Sequence, residues 1–297
     1  MINQSGFRAF GDIMKKLTVT CSVLPLALFS AVFALPSYAA EPDCQPMSEQ
    51  TRLNHMRMTG MPYLNGPVKS VTMTTVKPPQ DSPQIFSASH MTLTPCGQIS
   101  SYSFTRKSEE YGMIFDLSVT GSENDNAINM EYRFSADYAG KKKTRPTITR
   151  ISMIKDEQQV ITGYRTENFI EGNSTIMTEN GAVEYRDNNI HSVLINSEIL
   201  AKSYNLNFDY DKADRLTRIY TTPIPLSNFN FTYNEKGGLD KGTERTESTG
   251  IVTGNDIQCT EWDTYQNCTA GVWLRHINGE PAGEVPFRTT YEYYGDK

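Results

Sequence analysis

Three stretches in the last third of the chain repeat one pattern, and that pattern restricts the fold more than any other feature. Phe208-Asp209-Tyr210-Asp211-Lys212-Ala213-Asp214-Arg215-Leu216 runs aromatic, spacer, Tyr, acid, turn, Leu. Phe231-Thr232-Tyr233-Asn234-Glu235-Lys236-Gly237-Gly238-Leu239 repeats it. Thr260-Glu261-Trp262-Asp263, with Cys268 after the turn, is a looser third copy. Residues two apart in a strand share a face, so each copy lines one face with aromatics. The Asp or Asn that follows can bond its own backbone two residues on, which starts a tight turn. Each copy is therefore strand, turn, strand, and the chain closes on Tyr291-Glu292-Tyr293-Tyr294.

The remaining chain has the same grain. Val68–Val76 alternates, and Ile85–Leu93 with Gln98–Thr105 reads as a hairpin around Thr94-Pro95-Cys96-Gly97. Alternating stretches continue at Met113–Val119, Ala127–Phe134, Thr147–Ile154, Val160–Phe169, Ile190–Ile195 and Ala201–Tyr210. Ser174–Met177 and Ala182–Tyr185 are predicted to pair across a turn at Glu179-Asn180-Gly181. Ala40–Met61 is the one plausible helical region, broken by Gly60, Pro62 and Gly66. The fold class is thus all-β: a twisted antiparallel meander of hairpins, open or closed into a barrel, with at most one short N-terminal helix. A single domain over 40–297 is expected.

The N-terminus reads as an export signal. Lys15 and Lys16 precede the apolar run Leu17–Leu35, and Ser37 and Ala39 supply the small residues of a cleavage site after Ala39. Residues 1–13 then precede Met14 as an upstream extension. Neither Cys21 nor Cys44 follows the Leu-small-small box that lipid attachment needs, so a soluble periplasmic protein is expected, with no transmembrane span in the mature chain. Cleavage removes Arg8, Lys15, Lys16 and Asp12 and takes the formal charge from −6 to −8. That balance argues against nucleic acid and anionic membranes as partners.

Cys44, Cys96, Cys259 and Cys268 remain, an even set in an oxidising compartment. Cys259 and Cys268 share one hairpin and are expected to pair, which leaves Cys44 for Cys96. The third aromatic repeat opposes the first bond. A turn at Asp263–Gln266 sets the two cysteines diagonally, with Cα atoms roughly 7–8 Å apart, beyond the reach of about 6.8 Å that a disulfide prefers.

Residues that carry chemistry are sparse. His55, His90, His191 and His276 have no metal-ligand spacing among them, and no nucleophile elbow occurs. Asp209, Asp211 and Asp214 crowd one turn without the Gly and terminal Glu of a calcium loop, so turn capping is the reading. His55, Met56, Met58 and Met61 could hold Cu(I), although methionine is also adaptable core filler. Lys141-Lys142-Lys143 reads as a solvated turn. No cofactor and no enzymatic activity are expected.

The aromatic-Tyr-Asp units resemble the YD hairpins of Rhs-type shell proteins. A second similarity spans more of the chain: Gly66-Pro67-Val68-Lys69, Pro95-Cys96-Gly97, Phe208-Asp209-Tyr210-Asp211, Gln258-Cys259, Trp262-Asp263, Asn267-Cys268 and Tyr291-Glu292-Tyr293-Tyr294 resemble, in order, the YnfC/YafY-like envelope lipoproteins of enterobacteria. That resemblance implies an envelope location and supplies no catalytic residues. The expected function is a non-enzymatic envelope protein presenting a Tyr-rich face to a protein partner, as an immunity or inhibitor protein would. The alternative is a carrier of a small ligand or carbohydrate, which requires an apolar cavity inside the sheet. An enzyme with a spatially assembled site is the third class.

Overall fold

The computed structural model describes residues 47–60, 64–76, 84–110, 113–138, 144–223, 228–248 and 251–295. The expected signal segment, Cys44, Met61 and Lys141–Lys143 lie outside them. Helix α1 (Glu49–Thr59) comes first. Strands β1 (Val68–Thr75), β2 (Gln84–Leu93), β3 (Ile99–Glu110), β4 (Met113–Glu123), β5 (Ala127–Tyr138), β6 (Thr147–Lys155), β7 (Ile161–Ile170) and β8 (Met177–Arg186) follow. The second half holds β9 (Asn189–Ser197), β10 (Lys202–Tyr210), β11 (Leu216–Thr222), β12 (Asn228–Tyr233), β13 (Leu239–Ser248), β14 (Ile251–Trp262), β15 (Cys268–Ile277) and β16 (Glu280–Tyr293). Each strand pairs antiparallel with its neighbours in sequence, and β16 pairs back on β1 from Val68↔Tyr293 to Thr75↔Phe287. The all-β meander is therefore a closed barrel, and no sheet edge is left to pair with another chain.

The alternation of residue types builds the wall. On β5, Ile128, Met130 and Tyr132 are buried, and Asn129, Glu131 and Arg133 alternate with them. On β3, Tyr102 is buried while Ser101, Ser103, Thr105 and Lys107 are exposed. Directly paired residues of antiparallel strands share a face, so the register extends this pattern: apolar inside, polar outside. Inward glycines recur opposite inward aromatics, in Tyr102↔Gly121, Tyr164↔Gly181, Phe231↔Gly242 and Phe287↔Gly271. A large ring over a missing side chain fills the lumen without crowding it.

One predicted turn is overturned. Glu179-Asn180-Gly181 does not bend, because Met177–Arg186 is a single strand. Gly181 is there for space: a Cβ on it would stand 3.1 Å from Val193 Cγ1 and 3.1 Å from the Leu194 carbonyl oxygen.

Five of the seven hairpin turns at one end of the barrel share a single geometry. At Thr94, Asp156, Asp211, Asn234 and Asp263 the side-chain oxygen accepts the N–H four residues on. In each, the residue three further on has positive φ: Gly97, Gln159, Asp214, Gly237 and Gln266. The residue five further on, Ile99, Ile161, Leu216, Leu239 or Cys268, is buried. Sequence reading found four of these five turns, three by the aromatic repeat and the Thr94 turn as a hairpin loop, and Leu93 and Lys155 stand where the others carry Tyr210, Tyr233 or Trp262.

Those aromatics do not form an outer face. Each reaches back to a backbone carbonyl of the preceding hairpin: Tyr185 Oη to Ile161 O (2.9 Å), Tyr210 Oη to Ile190 O (2.7 Å), Tyr233 Oη to Leu216 O (2.5 Å), Trp262 Nε1 to Leu239 O (2.9 Å) and Tyr291 Oη to Cys268 O (2.9 Å). Tyr294 Oη to Leu93 O (2.6 Å) carries the ladder across the seam. Each bond ties one hairpin to the next, so the ladder sets how the turns splay. Tyr210→Phe and Tyr233→Phe are each expected to lose about 1 kcal/mol of stability, with the two losses adding in the double variant. Urea unfolding checks this, and an unchanged double variant would mean that water serves the two carbonyls equally well.

Candidate functional site

Helix α1 sits against the turn end of the barrel, held there by hydrogen bonds together with buried Leu53, Met56 and Met58. Ser48 caps its start by accepting from Thr51 N at 3.0 Å, and Gly60 ends it in the left-handed conformation. On one side His55 Nε2 meets Gln159 O at 2.7 Å, and His55 Nδ1 lies 3.0 Å from Glu123 Oε1. Lys155 Nζ donates to the same Glu123 oxygen at 2.8 Å and to Gln159 Oε1 at 2.6 Å. The second Glu123 oxygen accepts from Ile99 N at 2.9 Å. The Glu123 and Lys155 side chains are fully buried. On the other side Arg57 donates to Asn189 Oδ1 at 2.6 Å and to Asp214 O at 2.8 Å, and its guanidinium lies over the Tyr210 ring.

This arrangement engages or buries three of the four residues of the copper reading; Met61 lies outside the described residues. Both His55 nitrogens face oxygen acceptors, and Met56 and Met58 are buried in the core. Among the described residues no cluster of His, Cys, Asp or Glu has metal-site geometry. Asp211 caps its turn through Ala213 N and Arg215 N, as expected. Glu123 and Lys155 were missed by the sequence reading. The available signal was the lysine at the position where the sibling turns carry an aromatic.

The cysteines follow the turn register. Cys259 faces Gly271, and Cys268 faces Trp262, with bulges between. The turn at Asp263–Asn267 thus sets the two diagonally, as the aromatic repeat requires, and both are free thiols. This corrects the expected Cys259–Cys268 bond. They remain neighbours, since burial first and the Cys268 contact second push the Cys259 thiol up. Cys96 is disulfide-bonded. Cys44, its expected partner, lies outside the described residues.

The half of the lumen away from α1 holds a cavity of about 120 Å³. Its walls come from β1–β5 on one side and β13–β16 on the other. Val71, Met73, Met91, Tyr102, Phe104, Leu117, Tyr132, Ile257, Trp273 and Val285 make it mainly apolar. Its polar groups gather further from the helix. Glu244, Asn255 and Arg275 form one inward row across β13, β14 and β15, and Arg106 on β3 also lines the space. Glu244 Oε2 accepts from Asn255 Nδ2 at 2.7 Å. Burial pushes the Glu244 carboxyl up, against the pull of Asn255, Arg106 and Arg245. At the strand ends on this side stand the exposed side chains of Val76, Phe86, Tyr138, Ile170, Met177 and Val252.

No family model matches the chain, and none of the curated proteins matches it. Among solved structures, a porin-like protein from Bacteroides uniformis ATCC 8492 is similar at 12% identity with a TM-score of 0.44, over 77% of this chain and 100% of that chain.

Proposed function

We propose that this chain is a non-enzymatic barrel of the cell envelope that carries a small, mainly apolar ligand in the half of its lumen away from helix α1. The observation that carries the reading is the apolar cavity bounded by β1–β5 and β13–β16, with a few polar groups at one end, which is the make-up of a small-molecule site. The wall supports it. A barrel embedded in an outer membrane needs an apolar band outside and a polar interior. Here the outward positions of β3 and β5 are mostly Ser, Thr, Asn, Asp, Glu, Lys and Arg, and the inward ones are mostly apolar, Arg106 and Ser108 on β3 excepted. The protein-partner reading rested on an outward Tyr-rich face, and those tyrosines instead bond carbonyls of neighbouring hairpins. The basic start, the apolar run Leu17–Leu35 and the small residues Ser37 and Ala39 support export, and a periplasmic location is part of this reading.

The chain has two tryptophans, and Trp273 lines the cavity. In a Trp262→Phe background, 6-bromohexanol is expected to quench Trp273 emission saturably at one site per chain. Ser89 also lines the cavity, so Ser89→Phe should fill it and abolish saturable quenching. Linear, non-saturating quenching in both proteins would overturn the carrier reading.

A further inference from the structure

Two phenols, Tyr102 and Tyr132, line the cavity, and both are more than nine-tenths buried, at 5% and 8% exposure. Strand β4 lies between them, where Tyr102 pairs with Gly121 and Tyr132 pairs with Val119. Val119 and Gly121 are successive inward positions, so the two rings are neighbours on one face. On β3 both levels, Tyr102 and the Phe104 that faces Val119, precede Arg106, so the pair sits on the helix side of the polar row. Among the described residues nothing hydrogen-bonds the Tyr102 hydroxyl, and burial alone pushes that phenol up. The Tyr132 hydroxyl reaches only the Met130 sulfur, at 3.8 Å, and a thioether is a weak acceptor. Burial first, then the nearby Tyr102 and Tyr164 phenols, push Tyr132 up as well. Both phenols therefore stay protonated at neutral pH, as two donors in an apolar space. A buried hydroxyl without a good partner costs free energy that a bond to a ligand recovers.

We propose that the ligand carries a neutral carbonyl oxygen that accepts from the Tyr102 and Tyr132 hydroxyls, with its apolar body among Met73, Phe104, Ile257 and Trp273. This rests on the carrier reading and adds the group that orients the ligand. A carbonyl suits the role, because its oxygen has two lone pairs and brings no proton that must find an acceptor of its own. A charged head suits it less, since neutral phenols do not offset the cost of stripping water from an ion. A few placed polar groups of this kind fix orientation in an otherwise apolar small-molecule site. Size follows from the space. An apolar cavity of about 150 Å³ accepts benzene, and this one is about 120 Å³, so the body is on the order of six carbons, which is a cyclic or short-chain ketone or a lactone.

Calorimetry of the full exported protein with cyclohexanone, methylenecyclohexane, cyclohexanol and cyclohexanecarboxylate tests this. Methylenecyclohexane keeps the shape of the ketone and lacks its acceptor, so its affinity measures the apolar part alone and reports an intact fold. Tyr102→Phe and Tyr132→Phe are each expected to weaken cyclohexanone at least fivefold, about the worth of one neutral hydrogen bond, and to leave methylenecyclohexane within twofold. In the unsubstituted protein the ketone should bind more tightly than the alcohol and the carboxylate. If either substitution shifts ketone and alkene alike, that phenol does not hold the carbonyl, and the two-donor proposal is overturned while the carrier survives. If the alcohol or the carboxylate binds more tightly than the ketone, the site selects a different head, and the proposal is overturned in the same way. If none of the four binds, the carrier reading itself fails.

Discussion

Glu123→Ala is expected to lower stability by roughly 3–5 kcal/mol, the range found when one partner of a buried ion pair is removed. One carboxylate here serves three donors: Lys155 Nζ and His55 Nδ1 on one oxygen and Ile99 N on the other. Without it, Lys155 is left with Gln159 alone in a site that excludes water, and helix α1 loses one of its two anchors. Urea denaturation measures the loss, and limited proteolysis within 49–59 should accelerate. Glu123→Met with Lys155→Met removes both charges, and since apolar replacement of a whole buried pair is often close to neutral, the double variant should regain much of the loss. It will not regain all, because Ile99 N and His55 stay unserved. A single variant that loses under about 1 kcal/mol would mean that water enters this end of the barrel.

The same carboxylate sets an acid limit. Burial pushes Glu123 up, but the His55, Lys155 and Ile99 contacts outweigh it and hold it below the usual glutamate range. A depressed folded value means that its stabilisation is complete above the unfolded value of about 4.3 and is lost as pH falls through the folded one. The unfolding midpoint should therefore fall below about pH 4 for the native chain, and that part of the acid sensitivity should vanish in the Glu123→Met, Lys155→Met variant.

How far the sequence revealed this can be judged element by element. Strand alternation and turn chemistry are local, so the meander, a helical region within Ala40–Met61 and four of the five turns were legible. Whether the sheet closes depends on Val68 meeting Tyr293, more than two hundred residues away, and no local pattern carries that. Lys155 was invisible as a site residue, since its partners Glu123 and His55 come from other elements. The Tyr repeat was read correctly as strand and turn, but whether its face was exposed or core stayed open, because period two shows that residues share a face and not which face is inward. Gly181 misled for a related reason: in sequence it resembles turn chemistry, and only the close approach of Val193 and the Leu194 carbonyl from β9 shows that it makes room. The cysteine expectation failed where two patterns competed, and the turn geometry prevailed over the bond.

Phe287 and Gly271 test that use of glycine directly. The Phe287 ring is buried over Gly271 and packs 5.6 Å, centroid to centroid, from Trp273. Phe287→Ala is expected to cost about 3–5 kcal/mol, toward the upper end, because the facing residue has no side chain that could relax into the void. Gly271→Ala should also destabilise, by overpacking. Its Cβ would stand 2.6 Å from Phe287 Cζ and closer still to the Gln258 carbonyl oxygen. The ring could rotate away at a cost of about 1–3 kcal/mol, but the carbonyl belongs to the β14–β15 ladder and cannot move without breaking it. The double variant Gly271→Ala, Phe287→Leu separates the two obstacles. If the ring is the only one, the double variant should be more stable than Gly271→Ala alone. Since the backbone contact is shorter and stiffer, it should instead be no more stable, and calorimetric melting of the three variants decides between these outcomes.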